Sequence, residues 1–280
     1  MANAIGIHLS FWQTSWSDDL LPLISRAKTA GFKVAEFPLL DPINLNYPLL
    51  RKELDRLEML ASCSTGLGPE TDVTHPDPAI REKGLEYLFA CLEGADILGS
   101  PILGGVTYAP WGVFPTDDLS KRRDHCIQSL KIAAERAEKL GIVICLEVLN
   151  RFEGYLINTV EQAQDIIQEV GSPNIKIQLD TFHLNIEADD FGLSIRKAGA
   201  DLGHFHCVAN NRKPPGQGHI PWSEVQQALK EIGYSGYLVA ETFVNPEGDV
   251  GRGLSIWRPL AEDLDLAARQ AAEFISSNFN

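Results

Sequence analysis

Positive charge is scarce in this sequence. Its 280 residues include 24 Lys and Arg against 38 Asp and Glu, so the formal net charge is −14. Phosphate backbones and anionic membrane surfaces repel such a chain overall. We therefore expect neither a nucleic acid nor a membrane as a partner.

The sequence also lacks a disulfide pattern and a membrane span. Its five cysteines are odd in number and scattered, and no Cys-x-x-Cys pair occurs, which is not typical of a disulfide framework. No apolar run approaches the ~18 residues of a membrane span, and no basic region precedes an apolar stretch at the start. These absences predict a protein of a reducing compartment, the cytoplasm.

No linker rich in Pro, Gly or Ser divides the chain. What recurs instead is a glycine at the end of an amphipathic stretch, followed at once by an apolar run. Glycine ends helices in the left-handed conformation at low cost. The first interval between such glycines is 68 residues, about twice the later ones, which predicts one unit without its glycine just before residues 60–64. The glycines are Gly31, Gly99, Gly141, Gly171, Gly203 and Gly233.

Alternating helices and short apolar strands at this spacing are typical of βα units, because parallel neighbouring strands need a crossover helix. The predicted helix starts agree, with Asp77 before a proline and capping boxes at Thr159 and Ser223. Eight strands are predicted, at residues 5–8, 34–37, 60–64, 102–103, 142–146, 175–179, 204–207 and 237–240.

Eight βα units in one undivided chain favour a closed (β/α)₈ TIM barrel, which typically needs ~250 residues. We predict an α/β protein in which residues 1–280 form a single catalytic domain of this kind. The alternative is an open doubly wound sheet. Against it, the first βα turn at residues 9–12 contains no Gly-x-Gly-x-x-Gly motif for a dinucleotide.

Ligand-type side chains follow four consecutive predicted strands, where the chemistry of such a barrel gathers. They are Glu147, Asp180, His206 and Glu241. Three converging carboxylates repel each other, and a buried unpaired one costs several kcal/mol, so a cation must lie among them. Hard oxygens with one imidazole suit Mn²⁺, or alternatively Mg²⁺ or Co²⁺, better than a structural Zn²⁺ site.

Each of the four residues also has a purely structural interpretation. Asp180 could cap a helix, Glu147 or Glu241 could pair with an arginine such as Arg212, and His206 could be a core histidine. These interpretations require a separate structural reason at each of four consecutive strand ends. One metal site explains all four residues together and is the simpler explanation.

A second group of polar and aromatic residues is predicted around these four. Glu153, His183 and Arg212 follow the same strands and could hydrogen-bond a polyhydroxylated ligand. Trp16 and Trp111 lie on earlier loops, and aromatic rings cover the apolar face of a sugar. The two tryptophans could instead belong to a core lid or a subunit interface.

Four segments carry a resemblance to a known family. They are LEVLNRFE at 146–153, QLDTFHLN at 178–185, GHFH at 203–206 followed by NRKPPG at 211–216, and ETF at 241–243. Together they resemble the D-tagatose 3-epimerase and D-psicose (allulose) 3-epimerase family of the xylose-isomerase-like TIM barrels. The chain departs from that pattern at 208–210, where relatives tend to carry Gly-Glu, and this departure bears on the preferred sugar.

The resemblance implies a site and a reaction. Its metal ligands would be the four strand-end residues named above, while Glu153, His183 and Arg212 would hold the first carbons of the substrate. The reaction would interconvert free ketoses at C3, such as D-tagatose and D-sorbose, D-fructose and D-psicose, or L-ribulose and L-xylulose. Epimerisation through a cis-enediolate needs an electrophile and two bases, for which Glu147 and Glu241 are the candidates. Relatives suggest a homodimer or homotetramer.

Three other functions are compatible with the same barrel. An aldose–ketose or hydroxypyruvate-type isomerase would use the same metal but move the proton between C1 and C2. An endonuclease IV-like phosphodiesterase would need several zinc ions and a basic face, which the net charge of −14 disfavours. A non-catalytic sugar-binding barrel is disfavoured because no member of the ligand or base set is missing.

Overall fold

The eight strands form a closed barrel in which each strand pairs in parallel with its neighbours in chain order. This architecture, seen in a computed structural model that describes residues 3–279, confirms the predicted (β/α)₈ TIM barrel. The strands are β1 (Ile5–His8), β2 (Val34–Pro38), β3 (Leu60–Leu67), β4 (Ile102–Pro110), β5 (Val143–Glu147), β6 (Ile175–Asp180), β7 (Leu202–His206) and β8 (Leu238–Ala240).

Helices connect the strands. The sixth and eighth strands are each followed by two of them. They are α1 (Leu21–Ala30), α2 (Tyr47–Leu57), α3 (Pro78–Leu98), α4 (Leu119–Leu140), α5 (Val160–Val170), α6 (Thr181–Glu187), α7 (Phe191–Ala198), α8 (Trp222–Glu231), α9 (Gly248–Gly253) and α10 (Leu264–Phe279).

The barrel strands are buried almost throughout, as expected of parallel strands covered by helices. Most of their side chains are aliphatic or aromatic, and the largest fully buried ones include Ile7, Phe37 and Phe205. Glu36 on β2 and His204 on β7 are exceptions, because both are polar and have no exposed surface. Buried charged residues are rare unless they are paired, so these two lead directly to the functional site.

Strands β3 and β4 are longer than predicted. β4 was predicted to end at Leu103, yet the strand continues through Gly104 and Gly105 to Pro110. At Gly105 φ is +94°, and a Cβ atom there would lie 2.2 Å from the carbonyl oxygen of Thr65. These glycines therefore do not end the strand; Gly105 permits the close approach of β3 to β4.

Two predicted helix boundaries are wrong. Gly203 does not end a helix, because α7 ends at Ala198 and Gly203 lies inside β7. A Cβ atom at Gly203 would lie 2.7 Å from Cys145 Sγ, so this glycine serves strand packing instead. The capping box at Ser223 is also absent, since α8 begins at Trp222 without a side-chain cap.

Other predicted boundaries are confirmed. Asp77 accepts a hydrogen bond from the backbone N–H of Ala79, and Thr159 forms its capping box with Gln162. The unit without a helix-ending glycine is the second one. Its helix α2 ends on Glu58, which adopts the left-handed conformation with φ of +51°.

We expect Glu58→Gly to stabilise the protein. The left-handed conformation of a non-glycine residue destabilises the folded state by about 1–2 kcal/mol, and glycine removes this strain. Glycine also increases the conformational entropy of the unfolded chain, which offsets part of the gain. The free energy of unfolding should rise by about 0.5–1 kcal/mol in urea titrations. Lys52→Gly, in the exposed interior of the same helix, is the control and should lower it by about 1 kcal/mol. An equal loss in both variants would contradict the account.

Candidate active site

Four ligand-type side chains meet at the carboxyl ends of the last four strands. Glu147 ends β5, Asp180 ends β6, His206 ends β7, and Glu241 directly follows β8. One donor atom from each lies within 4.8 Å of all the others. Opposite ligands of a small octahedral ion are about 4.2 Å apart, given metal–oxygen distances near 2.1 Å. The structure therefore brings the four predicted residues together, and they could hold one divalent cation.

Two carboxylate oxygens in this group have no hydrogen-bond partner among the described residues. They are Glu147 Oε1 and Asp180 Oδ2, and both are buried. The other oxygen of Asp180 accepts the backbone N–H of Phe182 and caps α6. The capping interpretation of Asp180 is thus correct for Oδ1, but it does not account for the buried Oδ2. Buried oxygens without partners are costly, and a cation would satisfy both.

The carboxyl groups of Glu147 and Glu241 have opposite electrostatic environments. Burial, together with the charge of Glu241, raises the pKa of Glu147 well above its usual range. Burial also opposes ionisation of Glu241, but His206 beside it outweighs this and holds the pKa of Glu241 well below its usual range. Pairs of carboxyl groups whose pKa values are shifted in opposite directions are characteristic of acid–base sites.

Arg212 is the cation that contacts this group of carboxylates. Its guanidinium donates to Glu241 Oε2 at 3.3 Å and to Glu153 Oε2 at 3.3 Å, and it stacks 3.8 Å from the ring centroid of Phe182. The predicted alternative of an ion pair between Glu241 and Arg212 is therefore observed together with the metal-ligand cluster. Arg212 has a φ of +63°, a strained conformation for a side chain of this size that is typical of functional sites.

His183 presents an N–H group to the candidate metal site. The backbone N–H of Asn150 donates to His183 Nδ1 at 3.2 Å, so Nδ1 accepts and the proton of the neutral ring lies on Nε2. Burial lowers the pKa of His183 and favours this neutral form. Nε2 lies 3.6 Å from Glu147 Oε1. The ring is thus a neutral hydrogen-bond donor beside Glu147.

Glu153 is held as a carboxylate by three donors. Asn150 Nδ2 and Trp111 Nε1 donate to it at 3.0 and 3.1 Å, and Arg212 is the third. Burial would raise the pKa of Glu153, but Arg212 and these hydrogen bonds hold it below its usual value. Glu153 therefore contacts Arg212 and shares a cavity wall with His183.

A cavity of about 350 Å³ lies beside the candidate metal ligands. Its volume is in the range of small-molecule sites. The cavity contains all five residues predicted to bind a substrate, since its walls include Trp16, Trp111, Glu153, His183 and Arg212. Glu147 and Glu241 form part of the same walls. An outer cavity of about 790 Å³ adjoins it and shares Trp111, Glu153 and Arg212.

Three polar residues near the cluster were not predicted from the sequence. Glu36 and His204 lie in the barrel interior in contact with His206, and His8 lines the cavity with its Nε2 2.8 Å from Ser64 Oγ. A signal for His204 was present, because residues two apart on a strand share a face and His206 was already placed inside. Glu36 is the acidic residue of an otherwise apolar strand, which is a second usable signal.

Comparisons with known proteins agree with this geometry. The family described as "Xylose isomerase-like TIM barrel" matches residues 24–260. A D-psicose 3-epimerase of Ruminiclostridium cellulolyticum is 36% identical, over 96% of this chain and 95% of the relative. The chain belongs to the ketose 3-epimerase family of these barrels. It is an isomerase of the carbohydrate 3-epimerase class.

Further family members show the same likeness. An L-ribulose 3-epimerase of Methylomonas sp. is 34% identical, over 98% of this chain and 97% of the relative. A crystal structure of a D-psicose 3-epimerase in the presence of D-fructose superposes with a TM-score of 0.95 at 31% identity, covering 99% of both chains. None of the helices within residues 3–279 has the length and apolar character needed to cross a bilayer.

The unsatisfied oxygen of Glu147 leads to a prediction about metal binding. A ligand that binds only the folded state at 100 times its Kd stabilises a protein by about 2.7 kcal/mol. Mn²⁺ at that excess should raise the free energy of unfolding of the wild type by this amount. Glu147→Gln should lose most of the gain, whereas Glu153→Gln, a matched substitution in the same cavity, should keep it. Equal gains in all three proteins would refute the assignment of Glu147.

Proposed function

We propose that the chain is a metal-dependent 3-epimerase of free ketoses, and that residues 1–280 form one catalytic domain. The observation that carries the proposal is the position of Glu147 and Glu241. Both belong to the cavity wall, and each brings an oxygen within 4.8 Å of the other's and of donor atoms from Asp180 and His206. A pair of carboxylates beside one cation is what proton removal and return at one carbon require.

A divalent cation held by Glu147, Asp180, His206 and Glu241 would polarise the C2 carbonyl of the substrate as a Lewis acid. We favour Mn²⁺, with Mg²⁺ or Co²⁺ as alternatives, because three of the four donors are hard oxygens and the fourth is an imidazole nitrogen. The buried oxygens of Glu147 and Asp180 that lack partners support this fit.

The chain's own residues would carry out the proton transfers. One of Glu147 and Glu241 removes the proton from C3, and the other returns a proton to the opposite face. Their roles exchange with the configuration at C3. The proton balance requires that one of the two carboxyl groups is ionised and the other protonated when each turnover begins.

The remaining cavity residues would bind and orient the sugar. The Nε2–H group of His183 and the guanidinium of Arg212 would donate to the oxygens at C1 and C2, and Glu153 would accept from a hydroxyl group there. Trp16 and Trp111 would cover the apolar C–H face of the sugar. Related enzymes are named for D-psicose and for L-ribulose, so ketohexoses and ketopentoses are both candidate substrates.

Three broader expectations complete the proposal. The exposed rings of Phe152 and Trp257, with 70% and 73% of their surface accessible, border the outer cavity and favour a homodimer or homotetramer, since large apolar patches mark interfaces. A cytoplasmic location fits the five buried, unpaired cysteines. The absence of a nucleic acid partner remains a prediction from the net charge.

We expect Glu147→Gln and Glu241→Gln each to abolish measurable epimerisation, because general acid–base catalysis contributes about 10²–10⁴-fold in rate at each step. Circular dichroism should show an intact fold in both variants. Glu135→Gln, at an exposed position of α4 outside the ligand cluster and the cavity, is the matched control and should retain activity. Near-wild-type turnover in either glutamine variant would remove that residue from the mechanism.

A substrate screen in deuterated water tests the reaction type. Ketohexoses and ketopentoses are incubated with Mn²⁺-loaded enzyme, and proton NMR follows which carbon gains deuterium. A 3-epimerase places deuterium at C3, whereas an aldose–ketose isomerase places it at C1 or C2. We expect C3, with activity lost on exhaustive chelation and restored by Mn²⁺. Full turnover after chelation would contradict the metal-dependent mechanism.

A further inference from the structure

A closed polar cluster lies in the barrel interior, directly against the candidate metal site. Its centre is the carboxylate of Glu36 on β2, which has no exposed surface. Glu36 Oε1 is 2.7 Å from His206 Nε2, and Glu36 Oε2 is 2.6 Å from His204 Nε2. Ser62 Oγ donates to the same Oε2 at 2.8 Å. Both oxygens of this buried carboxylate are therefore satisfied by side chains from β3 and β7.

The two nitrogens of His206 face different groups. Nε2 is directed at Glu36. Nδ1 lies 3.7 Å from Asp180 Oδ2 and 3.5 Å from Glu241 Oε1, and Gln178 Nε2 lies 3.4 Å from it. A carboxylate can only accept a hydrogen bond, so the contact with Glu36 keeps a proton on Nε2. In the neutral ring this leaves the lone pair of Nδ1 directed toward the candidate metal ligands.

The same three residues could alternatively bind a metal ion of their own, since Glu36, His204 and His206 have donor atoms within 4.8 Å of one another. Two observations disfavour this. The contacts of 2.6 and 2.7 Å are ordinary charge-assisted hydrogen bonds. All three side chains are fully buried, with 0% exposure, whereas Glu147 and Glu241 line a cavity that could supply further ligands to an ion.

We propose that Glu36 is a positioning residue that presents His206 Nδ1 to the metal ion. This inference rests on the metal site of the proposed function. Hydrogen-bond partners of a ligating histidine fix its tautomer and ring orientation and raise its basicity, and their loss typically costs 10–100-fold in metal affinity. Glu36 acts through His206, and its complete burial separates it from the substrate cavity.

Calorimetric titration with Mn²⁺ tests this role without measuring activity. The wild type should bind one Mn²⁺ per chain. Glu36→Met, which has a similar length but accepts no hydrogen bond of this strength, should bind it 10–100-fold more weakly. Glu36→Gln should recover part of the affinity, because its one oxygen can still accept from His206. Ser62→Ala is the matched control, since it removes a different partner of the same carboxylate, and should stay within about threefold of the wild type.

A spectroscopic readout covers the case in which Glu36→Met does not fold. Nitrogen-15 NMR of histidine-labelled, Mg²⁺-loaded protein should show His206 protonated at Nε2 and unprotonated at Nδ1 in the wild type. Glu36→Gln should weaken this preference and give a mixture of the two tautomers. A wild type already protonated at Nδ1 would overturn the proposal.

The outcomes separate this inference from the proposed function. If the wild type binds none of Mn²⁺, Mg²⁺ and Co²⁺, the metal site fails and the role of Glu36 fails with it. If the wild type binds Mn²⁺ and Glu36→Met binds it equally well, only the positioning role is overturned. Two ions per wild-type chain, one of them lost in Glu36→Met, would overturn it in favour of a second metal site.

Discussion

The site depends on one constraint, which is that three carboxylates converge where the barrel strands end. Glu147, Asp180 and Glu241 each bring an oxygen to the same small volume. Arg212 offsets part of this charge, but it also pairs with Glu153. The remaining negative charge is buried and destabilises the folded protein, since an uncompensated buried charge costs several kcal/mol. A divalent cation would remove that cost and would supply the electrophile that C3 epimerisation needs.

The barrel arranges the site in layers around this charge. Below the ligands, the buried carboxylate of Glu36 hydrogen-bonds both His204 and His206. Above them, the neutral ring of His183 and the guanidinium of Arg212 line the substrate cavity. Glu36 and His204 lie within strands β2 and β7, whereas the ligands lie at the strand ends. His183 on α6 and Arg212 in the loop after β7 lie beyond the strand ends. Structural support and substrate contact are therefore separated by distance from the barrel interior.

Much of the fold and site follows from sequence, because the position of a residue at a strand end carries chemical meaning. The four ligand-type residues were found in this way, and the helix-ending glycines located most of the units. Gly203 was misread, because a glycine required for close packing between strands looks like a glycine required for a turn. Glu36 was missed because its partners, Ser62 and His206, are distant in sequence. Pairing of β2 with β3 places Ser62 beside Glu36, and barrel closure brings His206 across from β7.

The central claim is that Glu147, Asp180, His206 and Glu241 bind one cation that the reaction requires. Anomalous diffraction at the manganese absorption edge, from crystals grown with Mn²⁺, tests it most directly. The account predicts one strong peak bonded to the three carboxylates and to Nδ1 of His206, beside the cavity wall. A peak between Glu36 and His204, or the absence of a peak among the four residues, would contradict it.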